Sequence, residues 1–524
     1  MKKNSTLLWF IVFVFGVATN AQVSTTFLDT NNLSATINSN GFLFNDLLNQ
    51  ASGLEVPQGT GIHTVYTASL WMAGRDQLNG QLHAAAQRYL PDADYAAGPV
   101  ATTYDSVSRL PYKRLWNITQ AQINEHIASY GKAGYVMPEV IENWPAHGDV
   151  TVGESAQLAP FYDANENDIY EPALGDYPCI RGDQSVYSII NDDERLHTAS
   201  LGDPLGAEVH LETYAFNTID EVNNVVFLNV TIHNRSARSY TEFYTGLWVD
   251  FDLGCAMDDR IGCDTSRNMF YVYNGDAFDE SCIGGLGYGA NTPAFGVAYM
   301  DQELNSFIAH DNGTGNAGDP AQAAHYYNYL QALWKDGSPL TYGGTGTGAG
   351  TATRYMYSGE HDATSQWIDT VNFPGDRKGI GAIGPFNLPA GESISFTMAM
   401  GFAMNLSTPP PHASITTLKS VMDKAKDYYD KLPAFCQVPP TGVTRPEASS
   451  DIQVFPNPAS DYVTIRTTEK VTNIRLLDNL GRVVLEVDQP QFPLSVKELP
   501  NGVYYLQLEK NSGPAVQRVV VHHP

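Results

Sequence analysis

Asn224-Val-Val-Phe-Leu-Asn-Val-Thr-Ile-His-Asn234, then Arg235-Ser-Ala237, then Phe243-Tyr-Thr-Gly-Leu-Trp-Val-Asp250: this stretch decides the fold class. Its first run is rich in β-branched residues, which suit the pleated surface of a strand. The middle reads as a turn and the second run as the next strand, so an antiparallel hairpin with a wide connection is expected. A further strand, Ser393-Ile-Ser-Phe-Thr-Met-Ala-Met400, is entered through the turn Phe386-Asn-Leu-Pro-Ala-Gly391. Helical spacing is sparse. Residues 120–130 place Ile118, Ile123 and Ile127 near one face, and 415–432 place Leu418, Val421, Met422, Ala425 and Tyr429 at helical intervals before Pro433. The fold class is therefore mainly β: a β-sandwich-like body with long loop insertions and a closing helix.

The whole chain has 524 residues, which predicts more than one domain. Its net charge of −27 argues against nucleic acid as a partner, since phosphate neutralisation needs surplus Lys and Arg. It also disfavours anionic lipid. Residues 1–21 read as a secretory signal peptide: Lys2 and Lys3, an apolar run from Leu7 to Ala18, and small residues up to Ala21. Residues 22–435 form the β-rich cargo, and 436–450 a Pro-containing linker with Pro439, Pro440 and Pro446. From Asp451 onward 7 bases face 8 acids, so almost all the negative charge belongs to the cargo.

The segment 451–524 reads as about seven short strands with regular turns, a small Ig-like β-sandwich. Tyr462-Val-Thr-Ile465, Ile474-Arg-Leu-Leu477, Val483-Val-Leu485, Leu494–Val496, Val503-Tyr-Tyr-Leu-Gln-Leu508 and Gln517–Val521 are its strands, with turns at Asp478-Asn-Leu-Gly481 and Pro500-Asn-Gly502. Phe455, Pro456 and Pro458 fix the approach to the first strand, because proline locks its own φ and extends the residue before it.

Val454-Phe-Pro-Asn-Pro-Ala-Ser-Asp461, Leu477-Asp-Asn-Leu-Gly-Arg482, Leu499-Pro-Asn-Gly-Val-Tyr-Tyr505 and the final Arg518-Val-Val-Val521 carry a resemblance. In this order they resemble the type A C-terminal sorting domain of the type IX secretion system of Bacteroidetes. Phe455, Pro456, Asn457, Pro458, Gly481, Gly502 and Tyr504 are the sorting-motif positions. The resemblance implies export through the periplasm, docking of the tail on the outer-membrane secretion machinery, and removal of the tail by a sorting peptidase. The remainder is then secreted or held on the outer cell surface by lipopolysaccharide. The body resembles a set of surface proteins with the same tail, through segments such as Ser69-Leu-Trp-Met-Ala-Gly74, Trp144-Pro-Ala-His-Gly148 and Trp248-Val-Asp-Phe-Asp-Leu-Gly254. That resemblance supplies no mechanism.

Within the body, two acidic clusters stand out. Asp163, Asn165 and Asn167 repeat every second residue, with the Ile169 carbonyl next, which is the opening spacing of a calcium loop. Asp168 replaces the turn Gly and Leu174 the bidentate Glu of an EF-hand; Asp176 or Asp183 is the expected closing ligand. In the second cluster, Asp250 and Asp252 share one face at a strand end, followed by Asp258, Asp259 and Asp264. These read either as a second calcium site or as a carboxylate pair for glycoside hydrolysis. The 5 cysteines leave at least one unpaired; Cys255 has Cys263 and Cys282 as competing partners.

Other signatures fail. The Gly-rich stretch Thr341–Gly350 lacks a following Lys-Ser/Thr, Gly153-Glu-Ser-Ala lacks the second Gly of a nucleophile elbow, and Arg181-Gly-Asp183 is a chance tripeptide. The rings of Tyr326, Tyr327, Tyr329, Trp334, Tyr355, Tyr357 and Trp367 suit interior packing, or else a sugar-stacking face. The expectation is a secreted or surface protein, adhesive or structural, with calcium-binding loops. A polysaccharide-active hydrolase or a carbohydrate-binding protein is the alternative.

Overall fold

The computed structural model describes residues 23–436, apart from short stretches at 106–108, 283–284, 362–365, 371–373 and 406–411, and most of 453–523. The expected signal peptide, most of the expected linker, and Pro458 and Gly481 of the sorting motif lie outside the described residues. Among the described residues no helix is long and apolar enough to cross a membrane.

The body is mainly β, as the alternating segments indicate. Its principal strands are β1 (His63–Asp76), β2 (Gln184–Asn191), β3 (Ala207–Ala215), β4 (Val225–Asn234), β5 (Tyr240–Phe251), β6 (Asp259–Asp264), β7 (Met269–Asn274), β8 (Pro293–Tyr299), β9 (Ser306–His310), β10 (Arg377–Leu388) and β11 (Ser393–Met404). One sheet runs β1-β5-β10-β9, extended beyond β1 by shorter N-terminal strands. The other runs β6-β7-β8-β11-β4-β3-β2. Leu247, Val249 and Phe251 of β5 face the second sheet, where the Phe251 ring lies 6.2 Å from Phe270 and 6.4 Å from Phe295. The Tyr299 hydroxyl crosses the interior and donates to the Gly381 carbonyl at 2.7 Å. Burial of this shared apolar layer holds the two sheets face to face.

The expected hairpin is corrected. β4 pairs with β3 and β11, whereas β5 pairs with β1 and β10, so the turn at 235–239 carries the chain from one sheet to the other. Both strands are buried along most of their length on both faces, which suits interior strands of two sheets better than one hairpin. Asn234 fixes the crossing: its amide donates to the carbonyls of Arg238, Leu388 and Pro389, and its Oδ1 accepts from Ser236.

The two expected helices fall where the spacing puts them, and a third, at Ala323–Tyr329, was not expected. α1 (Gln120–Ser129) opens on a Thr119/Gln122 capping box and buries Ile123, while Ile127 faces solvent. α2 (Ala323–Tyr329) covers the outer face of the first sheet. α3 (His412–Asp430) lies on β8 and β11 through Leu418, Val421, Met422 and Ala425.

The disulfides join Cys255 to Cys282 and Cys179 to Cys436. The second fastens the start of the expected linker to the body. Cys263 is a buried free thiol that burial pushes well above its ordinary range. A maleimide is therefore expected to leave the native chain untouched and to add once per chain after denaturation without reductant. Labelling of the native chain, or none after denaturation, contradicts this pairing.

Candidate functional site

The outer face of the first sheet carries a buried polar row. Thr67, Asp250, Lys378 and His310 are direct cross-strand partners on β1, β5, β10 and β9, so their side chains share one face. The Tyr89 hydroxyl donates to Asp250 Oδ2 at 2.5 Å and accepts from Lys378 Nζ at 2.8 Å. Lys378 Nζ also lies 3.7 Å from Asp250 Oδ1 and 3.9 Å from Asp376 Oδ2. One turn of the pleat away, Trp71 stacks on Trp248 at 5.7 Å, and the Trp248 indole donates to His310 Nε2 at 2.9 Å. Tyr326 and Tyr329 close over this layer, edge-on to Trp71 and stacked on His310.

Burial pushes the Asp250 carboxyl up to about 8, against the pull of Lys378, and Asp376 and Asp252 push it further up. Asp252 is raised to about 6, chiefly by burial, despite a hydrogen bond from Ser52 at 2.8 Å. Asp250 is 6% exposed and both tryptophans 0%. The row is thus a buried polar clamp across four neighbouring strands.

That clamp has a pH signature. A carboxyl raised by folding binds its proton more tightly folded than unfolded, so stability falls as pH rises between the two values. For Asp250 this interval runs from about 4 to about 8. Burial keeps His310 and His233 neutral, which opposes the trend below about pH 6.5, where the unfolded chain protonates its histidines. The chelator-treated chain is expected to lose about 2 kcal/mol between about pH 6.5 and 8, read as a urea midpoint. A midpoint that rises over that interval contradicts the assignment.

The Asp163 loop is a second, exposed feature. Asp163 accepts the N–H of Asn165 at 3.2 Å through Oδ1 and that of Asp168 at 2.6 Å through Oδ2, and Asn167 accepts the N–H of Ile169 at 2.8 Å. Glu166 and Asp168 both adopt left-handed backbone, at φ 59° and 60°. Asn165 and Asn167 donate to Glu171, two residues past Ile169. Asp176 is fully buried, and its oxygens accept the N–H groups of Ala164 and Glu171, so it braces the loop from beneath.

The third feature surrounds the Cys255–Cys282 bond. Asp258 closes a short 3₁₀ turn and Asp259 opens β6. Burial and the charges of Asp279, Asp276 and Glu280 raise Asp258 to about 7, and burial holds Asp259 well above the ordinary range. Asp279 binds the N–H groups of Cys255 and Tyr288 and is raised to about 6, mainly by burial. Asp264 lies at the other end of β6, capping the turn that follows and pairing with Arg267 and Lys419. The expected cluster thus divides in three: Asp250 and Asp252 at the clamp, Asp258 and Asp259 at the disulfide loop, and Asp264 apart.

Glu208, His210 and His233 form a further group, whose ligand atoms lie within 4.8 Å of one another. Glu208 and His233 are cross-strand partners and His210 is two residues along, a relation visible only once β3 and β4 are paired. Glu208 already accepts from Arg235 at 2.6 Å, His210 at 3.0 Å and the Val100 N–H at 3.0 Å. Burial alone would raise its carboxyl, but His210 and Arg235 hold it at about 2. The His233 imidazole is pushed down to about 4 by burial, then by His210 and Arg235. Glu208 is thus already engaged by Arg235, His210 and the Val100 N–H, beside a neutral His233.

In the tail, two small sheets share one apolar core containing Val463, Ile474, Leu476, Leu506, Leu508 and Val519. Asn457 ties the first motif to the last strand: its amide donates to the Arg518 carbonyl at 2.9 Å, and its Oδ1 accepts the Val520 N–H at 2.7 Å. Phe455 lies under the Arg466 guanidinium, the Tyr504 hydroxyl donates to the Pro500 carbonyl, and Gly502 opens the strand opposite Val521. Residues 453–522 match the family described as the secretion system C-terminal sorting domain. The tail is a type IX sorting domain. The chain that carries it is accordingly directed to the outer cell surface or the extracellular space.

No curated protein matches the chain. Among solved structures, a polysaccharide lyase aligns over 60% of this chain and 34% of its own length, at 10% identity and a TM-score of 0.20. The chain thus spans about a third of that lyase. A putative aldose 1-epimerase from Escherichia coli K12 aligns over 73% of this chain and 100% of its own, at 8% identity and a TM-score of 0.30. At these scores neither likeness bears on activity.

Proposed function

We propose that the type IX substrate carried by this tail is a non-enzymatic adhesive or structural β-protein whose Asp163 loop binds calcium. The signal peptide at 1–21 takes the chain to the periplasm, and the tail is removed by the sorting peptidase after docking. The body is then released or held by surface lipopolysaccharide. One observation carries the calcium reading. Asp168 sits at the loop's sixth position with φ 60°, its N–H on Asp163 at 2.6 Å, where a calcium loop needs its sharp turn. Asp is among the few side chains that tolerate that conformation. Glu171, at the ninth position, supplies further oxygen in place of the missing twelfth-position Glu. The non-enzymatic reading is supported by rings that pack inward: Trp71, Trp248 and Trp334 are buried, and Asp250 is already engaged by Tyr89.

Calcium is expected to raise the thermal midpoint of the full chain, because an ion that binds only the native state adds about 2.7 kcal/mol at a hundredfold excess over its dissociation constant. Asp163→Ala with Asn167→Ala should remove the loop's share of that rise. An identical response in both proteins would overturn the assignment.

A further inference from the structure

A second cation position, independent of the Asp163 loop, is built where β6 meets β7. Asp259, the first residue of β6, is the direct cross-strand partner of Asn274, the last of β7, and both are fully buried. Asp259 Oδ2 accepts the Leu253 N–H at 3.1 Å, which leaves Oδ1 with no donor. The Asn274 amide nitrogen donates to the carbonyl and the carboxylate of Asp276, both at 3.3 Å. That orientation leaves Asn274 Oδ1 buried and without a donor as well. Both carboxylate oxygens of neighbouring Asp258 are also buried and undonated. Among the described residues, none of Asp258, Asp259, Asp276 and Asp279 forms an ion pair.

Four buried acceptor oxygens without a donor cannot stay so in a stable fold, since each costs its full desolvation. A single proton would answer only part of the deficit. Placed on Asp259 it would serve Asn274 Oδ1 and leave both oxygens of Asp258 unserved. A hard divalent cation takes several oxygen ligands at once and cancels the repulsion between adjacent carboxylates.

The surroundings hold this arrangement in place. Asp279 grips the N–H groups of Cys255 at 3.0 Å and Tyr288 at 2.7 Å. The Cys255–Cys282 bond closes the same loop. Gly254 has φ +70° and passes so near that a Cβ there would lie 1.9 Å from Asp279 Oδ2. The turn presenting Asp258 and Asp259 is thereby fixed before any ion arrives. We propose that Asp258, Asp259 and Asn274 bind a divalent cation of the calcium class, with backbone carbonyls and water completing its oxygen shell.

The test is calorimetric titration of the chelator-treated full chain with calcium chloride alone. Three proteins are compared: the unchanged chain, Asp163→Ala with Asn167→Ala, and Asp258→Asn with Asp259→Asn. The proposal expects one ion to be lost in the third protein and to persist in the second. This outcome is independent of whether the Asp163 loop binds an ion of its own. Asp258→Asn alone, at a half-buried position, guards against misfolding of the pair and is expected to weaken the site at least tenfold. Equal stoichiometry and affinity in the unchanged chain and both Asp258 variants would overturn the proposal. So would the absence of any calcium response in the chelator-treated unchanged chain.

Discussion

A chain ending at residue 450 is expected to accumulate in the periplasm, with its level outside the cell falling to background. The sorting domain has its own apolar core, so removing it takes no packing from the body. Nearly all the negative charge also stays with the cargo, which leaves the body's solubility intact. What is lost is the surface that the secretion machinery reads. Cell fractionation with detection of the body decides the matter: undiminished secretion of the shortened chain refutes the sorting role. A milder version is Asn457→Ala, which removes both hydrogen bonds that tie the first motif to the last strand. It should lower secretion while leaving the body's thermal midpoint unchanged.

Replacing Lys378 with Met should destabilise the body above about pH 8, where Asp250 is ionised and loses its buried cation. Lys378 is 4% exposed and serves Tyr89, Asp250 and Asp376 together. The variant keeps a side chain of similar length, so the loss reports charge more than volume. Adding Asp250→Asn should restore most of the stability, because the amide needs no cation. The cost should shrink as pH falls, since Asp250 without Lys378 escapes its charge by taking up a proton. Urea unfolding at two pH values measures all three effects. A loss that is unchanged by pH and not rescued by Asp250→Asn would show that Lys378 acts by packing alone.

How far the sequence reached depends on the range of the interaction. Local chemistry was legible: the β-branched run at 225–234, the closing helix at 412–430 and the strands of the tail all depend on period and turn residues. Pairing was not. The two runs flanking Arg235 look like a hairpin, but nothing local says that a five-residue connection crosses between sheets. The clamp was out of reach for the same reason. Tyr89, Asp250 and Lys378 come from three distant segments, and only the register of β5 against β10 sets Lys378 opposite Asp250. Glu208 and His233 meet by the same device. The Asp163 loop was visible because its oxygen spacing is local, whereas the bracing role of Asp176 required knowing which way its carboxylate turned. Cys255 had two nearby partners in sequence, and the strand position of Cys263 removed one of them.

The measurement that tests the account most directly is the calcium content of the mature protein recovered from outside the cell, by equilibrium dialysis against millimolar calcium. Stoichiometric calcium is expected, with a lower thermal midpoint once a chelator has removed it. A protein that takes up no calcium and melts unchanged in chelator would contradict the account.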